Sequence, residues 1–248
     1  MFLQCSAKLA TCYAYIGVAL RSGMRMGLHR AFRDSFSPVE AECRKRVFWT
    51  IRTTDIYVGA LLGLPITLSE EEIDQDFPTE VTDECIREDG IHAMPPGTLP
   101  PMAAANAYFK LCTIITKIMR TIYPIKGFES RGRSTPGHYS VSYAAIKSIE
   151  MDLQHWTEGL PPDLVPRDQP PRSPGPPKLM RMQQILRLGY AHAQLLLYRP
   201  FLHYVSNKHK IISIDQRSYA CAVAGVNVSR NIIPVSYTHL TLPTKRIV

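Results

Sequence analysis

The chain has no glycine-rich phosphate loop, no His-Glu-x-x-His motif and no Gly-x-Ser-x-Gly elbow. The most legible routes to nucleotide, metal-hydrolase and serine-hydrolase chemistry are therefore missing. Its six cysteines, at 5, 12, 43, 85, 112 and 221, are never two to four apart. That excludes a zinc cluster and a thiol–disulfide motif, and in a chain of 248 residues it reads as reduced intracellular thiols. His29, His192 and His203 have no partner at ligand spacing, and the pair Asp74 and Asp76 reads as a solvated turn rather than a cation site. No catalytic, cofactor-binding or metal-ligating residue is assigned, and an enzyme is not expected. Long hydrophobic runs are also absent. The opening "MFLQCSAKLATCYAYIGVALRSG" carries Lys8 inside its apolar part, has no basic leader and is too short to span a bilayer. The expectation is a cytoplasmic or nuclear protein without membrane contact.

Charge is present in moderation. The formal net charge is +8, but only Arg44-Lys45-Arg46 is contiguous, so there is no dense basic tail. Helical periodicity dominates the rest. Leu9, Cys12, Tyr13, Ile16, Leu20 and Met24 form one buried stripe. Ala10, Ala14 and Gly17 leave the opposite side small enough for a close neighbour. A second helix starts at Ser37-Pro38, with Glu40 three residues after the cap, and stops at Gly63 and Pro65. Glu40 and Glu42 precede Arg44 and Arg46 by four residues, which makes much of the charge local helix chemistry.

A second capping signal at Ser69 and Glu72 leads into a loop that ends near Pro101. Helices are then expected along the Ala107, Leu111, Ile114, Ile115, Ile118, Ile122 stripe and over residues 139–156. Residues 161–177 hold eight prolines and read as an extended loop. A long helix follows, with Met182, Ile185, Leu186, Gly189, Ala193, Leu196 and Leu197 inward and a stop at Pro200. A last helix, capped by Asp215, uses Tyr219, Ala222, Val223, Val226 and Arg230. No strand-like alternation of any length competes, so the fold class is all-α, an irregular multi-helix domain. Residues 235–248 do not continue the helical period and read as an adapter-like, non-native tail, leaving 1–234 as the domain.

Asp55 lies on the stripe of Phe48, Ile51, Val58 and Leu62, where a carboxylate needs a partner. It is either a ligand-binding carboxylate or general base, or a structural group paired with an arginine such as Arg25 or Arg52. The structural reading is preferred, with the partner expected in the helix end at residues 21–30. Losing Asp55 would then cost about 3–5 kcal/mol, because the arginine stays buried alone. Arg44 and Lys45, as exposed pairs, should each matter by less than about 1 kcal/mol. Direct groove contact by this helix is disfavoured. Arg44 and Arg52 are about 80° apart around an ideal helix, Glu40 and Glu42 interrupt the surface, and Phe48 and Trp49 are not interleaved with the charges as in single-strand binders.

The spacing of these residues resembles the regulatory middle-homology domain of fungal zinc-cluster transcription factors. "ALRSGMRMGLHRAF" is similar to a helix end of the type A-x-R-x-A-x-x-x-G-L-H-R through Ala19, Arg21, Gly27, Leu28, His29 and Arg30. "SPVEAECRKRVFWTIRTTDIYVGALLGLPITLSEEEIDQDFP" is similar to the following acidic-then-basic helix and its exit. The matching residues there are Glu42, Arg44, Lys45, Arg46, Phe48, Trp49, Asp55, Leu62, Gly63, Pro65, Ile73, Asp74 and Pro78. "LQHWTEGLPPDL", "LRLGYAHAQLLLYRPFL" and "CAVAGVNVSRNI" resemble later signatures, the second ending in a helix-stopping Arg199-Pro200. Ile56 and Leu64 stand where the family usually has arginine.

The resemblance implies the regulatory portion of a sequence-specific transcription factor in the nucleus. DNA reading and zinc binding would belong to an N-terminal six-cysteine cluster that this chain does not contain. It leaves room for a coregulator or a small-molecule effector, and for a homodimer in the full-length protein. The contrasting expectation is a helical enzyme or small-molecule-binding protein unrelated to transcription. As a fragment starting late, the chain is expected to leave the stripe at residues 9–24 uncovered and to associate in solution.

Overall fold

The computed structural model describes residues 8–32, 36–123, 142–166, 176–206 and 216–240, which form two compact units, Met1–Thr116 and Lys117–Val248. Among the described residues six α-helices carry the fold: α1 (Leu9–Arg25), α2 (Pro38–Leu62), α3 (Pro101–Ile122), α4 (Tyr143–Glu158), α5 (Pro177–Ser206) and α6 (Gln216–Leu240). The one departure from an all-helical chain among the described residues is a two-residue hairpin of β1 (Ile86–Arg87) and β2 (Gly90–Ile91). It is too short to leave a period-2 signal in the sequence.

In the first unit, α1 ends in a Schellman motif. Gly27 takes φ +70°, its N–H reaches the Met24 carbonyl, and the Leu28 N–H reaches that of Gly23. A side-chain carbon at Gly27 would also lie 2.7 Å from the exposed Phe32 ring, which would have to turn aside, so the positive φ is what reserves the position for glycine. α2 opens as its sequence dictates: the Ser37 hydroxyl accepts the Glu40 N–H at 3.3 Å, Pro38 is the first helical residue and Gly63 closes the helix at φ +68°. Cys12 and Ile16 pack with Val58, while Leu20 and Leu28 join Phe48, Trp49, Leu68 and Phe109. The α1 stripe is therefore covered by α2, which corrects the expectation that it would lie bare. The open side of α1 is the other one, where Ala10 and Ala14 are exposed and Tyr15 is 66% so.

In the second unit, Ile146, Ile149, Leu153 and Trp156 of α4 are each buried, as are Leu164, Leu186, Ala193 and Leu197. Trp156 stacks on Tyr190 with ring centroids 5.6 Å apart. Of the stripe expected on α5, Ile185 faces solvent. On α6 the expectation fails more instructively. Ala222 and Gly225 are buried while Tyr219, Val223 and Val226 are exposed. A side-chain carbon on Gly225 would lie 3.1 Å from Tyr198 Cβ, so the close approach of α5 selects the small face over the apolar one. Asp215 and part of the proline-rich loop, residues 167–175, lie outside the described residues. α6 runs to Leu240, past Arg230, the last position of its expected stripe.

α5 does not stop at Pro200 but continues through it to Ser206. Proline cannot donate to the Leu196 carbonyl one turn earlier. The Tyr123 hydroxyl donates to that carbonyl instead, at 2.7 Å. A tertiary hydrogen bond thus satisfies the acceptor the proline orphans. Tyr123→Phe should lower stability by about 1–2 kcal/mol, the effect of leaving a buried carbonyl unpaired. A denaturant midpoint unchanged from wild type would show that another group serves this acceptor.

Candidate functional site

The fingerprint residues converge on one feature of the first unit: the segment that follows α2 is strapped back along that helix and against the corner after α1. The corner is held by main-chain groups. The Asp74 and Gln75 N–H groups both donate to the His29 carbonyl, at 3.2 and 3.1 Å. The Gln75 amide donates to the carbonyls of Leu28 and Arg30 at 2.9 and 3.0 Å. Asp74 accepts the Ala31 N–H at 3.0 Å, and Arg30 approaches its other oxygen at 3.8 Å in the open. The Asp-x-Asp pair is thereby explained as a brace for the Gly-Leu-His-Arg corner. Among the described residues no group of three His, Cys, Asp or Glu side chains could hold a metal ion.

The basic run of α2 is mostly directed at the protein itself. Glu42, 2% exposed, accepts Arg46 Nε at 3.1 Å and the Thr79 N–H at 3.0 and 3.2 Å. Arg46 also donates to Asp83 at 2.6 Å. Burial works against the Arg46 charge, but the hydrogen bonds it donates to Asp83 and Glu42, with the fields of those carboxylates, outweigh it and raise its pKa. The sequence marked this pair as surface chemistry, and the structure instead makes Glu42 the buried anchor of the strap. Arg44 does not meet Glu40. Its Nη2 donates to the Met26 carbonyl at 2.7 Å and its guanidinium lies 4.1 Å over the Phe36 ring.

One turn on, Trp49 donates Nε1 to the Asp76 carbonyl at 2.9 Å, stacks on Phe77 with centroids 4.2 Å apart, and meets Phe48 edge-on. Asn106 of α3 reaches the Pro78 carbonyl at 2.7 Å. The Asp76 and Pro78 carbonyls served in this way lie in a stretch of the strap without regular structure, and Asn106 also donates to the Glu80 carboxylate at 3.1 Å.

Asp55 is buried, as its place on the stripe requires, at 2% exposure. Its partner is not the helix end at residues 21–30, where Arg21, Arg25 and Arg30 are all exposed. The carboxylate accepts from Thr67, from Oγ1 at 3.2 Å and from the N–H at 3.3 Å, just past Gly63 and Pro65. Burial raises its pKa, partly offset by Thr67 and by the field of Arg52. Arg52, 3% exposed, donates to the Leu68 carbonyl at 3.3 Å and approaches Glu70 at 3.9 Å. Asp55 and Arg52 therefore fasten the exit of α2 to its own downstream chain, and do not pin α2 to α1. Ile56, where the resembled pattern has arginine, is packed in the core.

Sequence reasoning missed Thr67, Gln75, Thr79 and Asn106. All four act through hydrogen bonds to positions 12 to 47 residues away, a separation that no local pattern reports. Burial pushes the Cys112 thiol up to about 12 and leaves it unreactive. Cys12 is buried and Cys43 exposed, in scattered positions and not in a disulfide. No described helix is long and apolar enough to cross a membrane.

Residues 1–158 match the fungal specific transcription factor domain. The chain is 36% identical over 95% of its length to Activator of stress genes 1 of Saccharomyces cerevisiae, of which it covers 23%. It is 36% identical to Activator of stress genes protein 1 of Candida albicans over 95% of its length, covering 25% of that protein. With Transcriptional activator protein acu-15 of Neurospora crassa it shares 33% identity over 75% of its length, covering 19%. The chain thus spans about a quarter of the length of the first two relatives. No solved structure matches. Through a match over more than half its length, the chain belongs to the fungal specific transcription factor domain family.

Proposed function

We propose that this chain is the regulatory portion of a nuclear, sequence-specific fungal transcription factor, modulating transcription by RNA polymerase II without reading DNA itself. DNA recognition and zinc belong to an N-terminal zinc cluster elsewhere in the full-length protein. The cysteines of this chain do not fit that role, since they are scattered and two of them, Cys12 and Cys112, are buried in the core. The observation that carries the reading is the use of the basic helix. Arg46 and Arg52 are bound to carboxylates and carbonyls of the strap, so part of the charge that invites a DNA reading is committed inside the fold. The regulated partner is a coregulator or a small-molecule effector, and the full-length protein acts as a homodimer.

The test joins the chain to an unrelated DNA-binding module in a fungal host that carries a matching reporter. Reporter output should differ from that of the module alone. The chain by itself should show only sequence-blind retention on DNA that disappears with added salt. Unchanged reporter output, or selective DNA binding by the isolated chain at physiological salt, would overturn the reading.

A further inference from the structure

Between the corner after α1 and the first turns of α2 lies an open cleft of about 310 Å³, lined by Arg30, Ala31, Phe32, Phe36, Ala41, Arg44, Lys45, Gln75 and Asp76. Its volume is at the lower end of small-molecule sites. Among the described residues that line it are three cationic side chains, one of them Arg30 approached by Asp74 at 3.8 Å, and one carboxylate, so the described lining is net positive. Two of the cations have no carboxylate partner among the described residues, namely Arg44 and Lys45. Arg44 is held in place without being used up: one Nη donates to the Met26 carbonyl and the planar face lies on Phe36. Most of its five N–H donors remain for a ligand, in the fork geometry that suits a carboxylate or phosphate. Phe32 stands edge-on to Phe36 with centroids 6.3 Å apart, giving the cleft an aromatic wall beside its charge.

We propose that this cleft binds a small organic anion, a carboxylate or phosphate carried on an aromatic or apolar body. Its role as the effector of the domain rests on the regulatory reading above; its binding does not. The position suits an effector, because the cleft is lined on one side by the corner and on the other by strap residues Gln75 and Asp76, so an anion held there bears on both. Asp76 also receives Trp49 Nε1 on its carbonyl, which places an indole next to the site as a reporter.

Titration of the full chain with benzoate and with phenyl phosphate, followed by calorimetry and by Trp49 fluorescence, tests the proposal and separates carboxylate from phosphate preference. At least one anion should bind saturably, with neutral benzamide at least about tenfold weaker, as expected when a charge-assisted hydrogen bond is lost. Lys45→Gln removes a cation that has no ion-pair partner among the described residues and should weaken binding about tenfold without affecting folding. Arg44→Gln should weaken it further. The proposal is overturned if no anionic probe saturates, if benzamide binds equally well, or if binding survives both substitutions. It is overturned in favour of a protein-docking patch if only an oligoglutamate peptide binds. Any of these results leaves the regulatory reading to stand or fall on its own reporter experiment.

Discussion

Glu42→Ala is expected to destabilise the first unit by about 3–5 kcal/mol, the range for removing one partner of a buried ion pair. The loss compounds several effects. Arg46 keeps only its bond to Asp83, and the Thr79 N–H is left with no acceptor in a part-buried place. Asp83 offers the internal contrast, because its carboxylate is 84% exposed although it touches the same guanidinium at 2.6 Å. Asp83→Ala should therefore cost less than about 1 kcal/mol. Glu42→Gln, which keeps an acceptor and loses the charge, should fall between the two. Denaturant midpoints for the three variants decide the matter. Equal effects for Glu42→Ala and Asp83→Ala would mean that the strap is not anchored through Glu42.

The second large effect concerns Asp55, and here the structure revises the size as well as the partner. With an arginine across from it, removal would strand a buried cation and cost about 3–5 kcal/mol. With Thr67 as the partner, Asp55→Ala leaves a hydroxyl and an N–H unpaired while also removing a carboxylate that is costly to bury. The net loss should be about 2 kcal/mol. Asp55→Asn keeps an acceptor for Thr67 and should be close to neutral near pH 7.

The pH dependence follows from the raised pKa, whose main cause is burial. From the ordinary value of 3.8 up to the folded value, the native state holds the Asp55 proton more often than the unfolded chain does. The contribution of this group to stability is full below that window and is lost as pH rises through it. The stability difference between wild type and Asp55→Asn should therefore shift against wild type as pH increases across the window. An opposite slope would place a closer cation beside Asp55 than Arg52.

What the sequence by itself determined is the local chemistry of the helices and the family they belong to. Ser37-Pro38 with Glu40, the glycines at 27 and 63, and the box at Ser69 and Glu72 act within a few residues of themselves. Each performs in the fold the role its type and spacing dictate. Periodicity likewise placed Phe48, Asp55 and Val58 on one buried face, because a helix of 3.6 residues per turn leaves no choice once its start is set. The tertiary structure decided which group each buried polar atom meets. Glu42 reads as an exposed helix pair until Thr79 arrives from 37 residues away to bury it. Asp55 had several arginines within plausible reach and took its hydrogen bonds from a threonine, with Arg52 acting on it through its field. Pro200 carries every local signal of a helix stop, yet α5 passes through because Tyr123, 73 residues earlier, supplies a donor to Leu196. Helix propensity and capping are decided by neighbours along the chain, whereas burial and hydrogen-bond partnership are decided by neighbours in space, and only the folded chain brings those together.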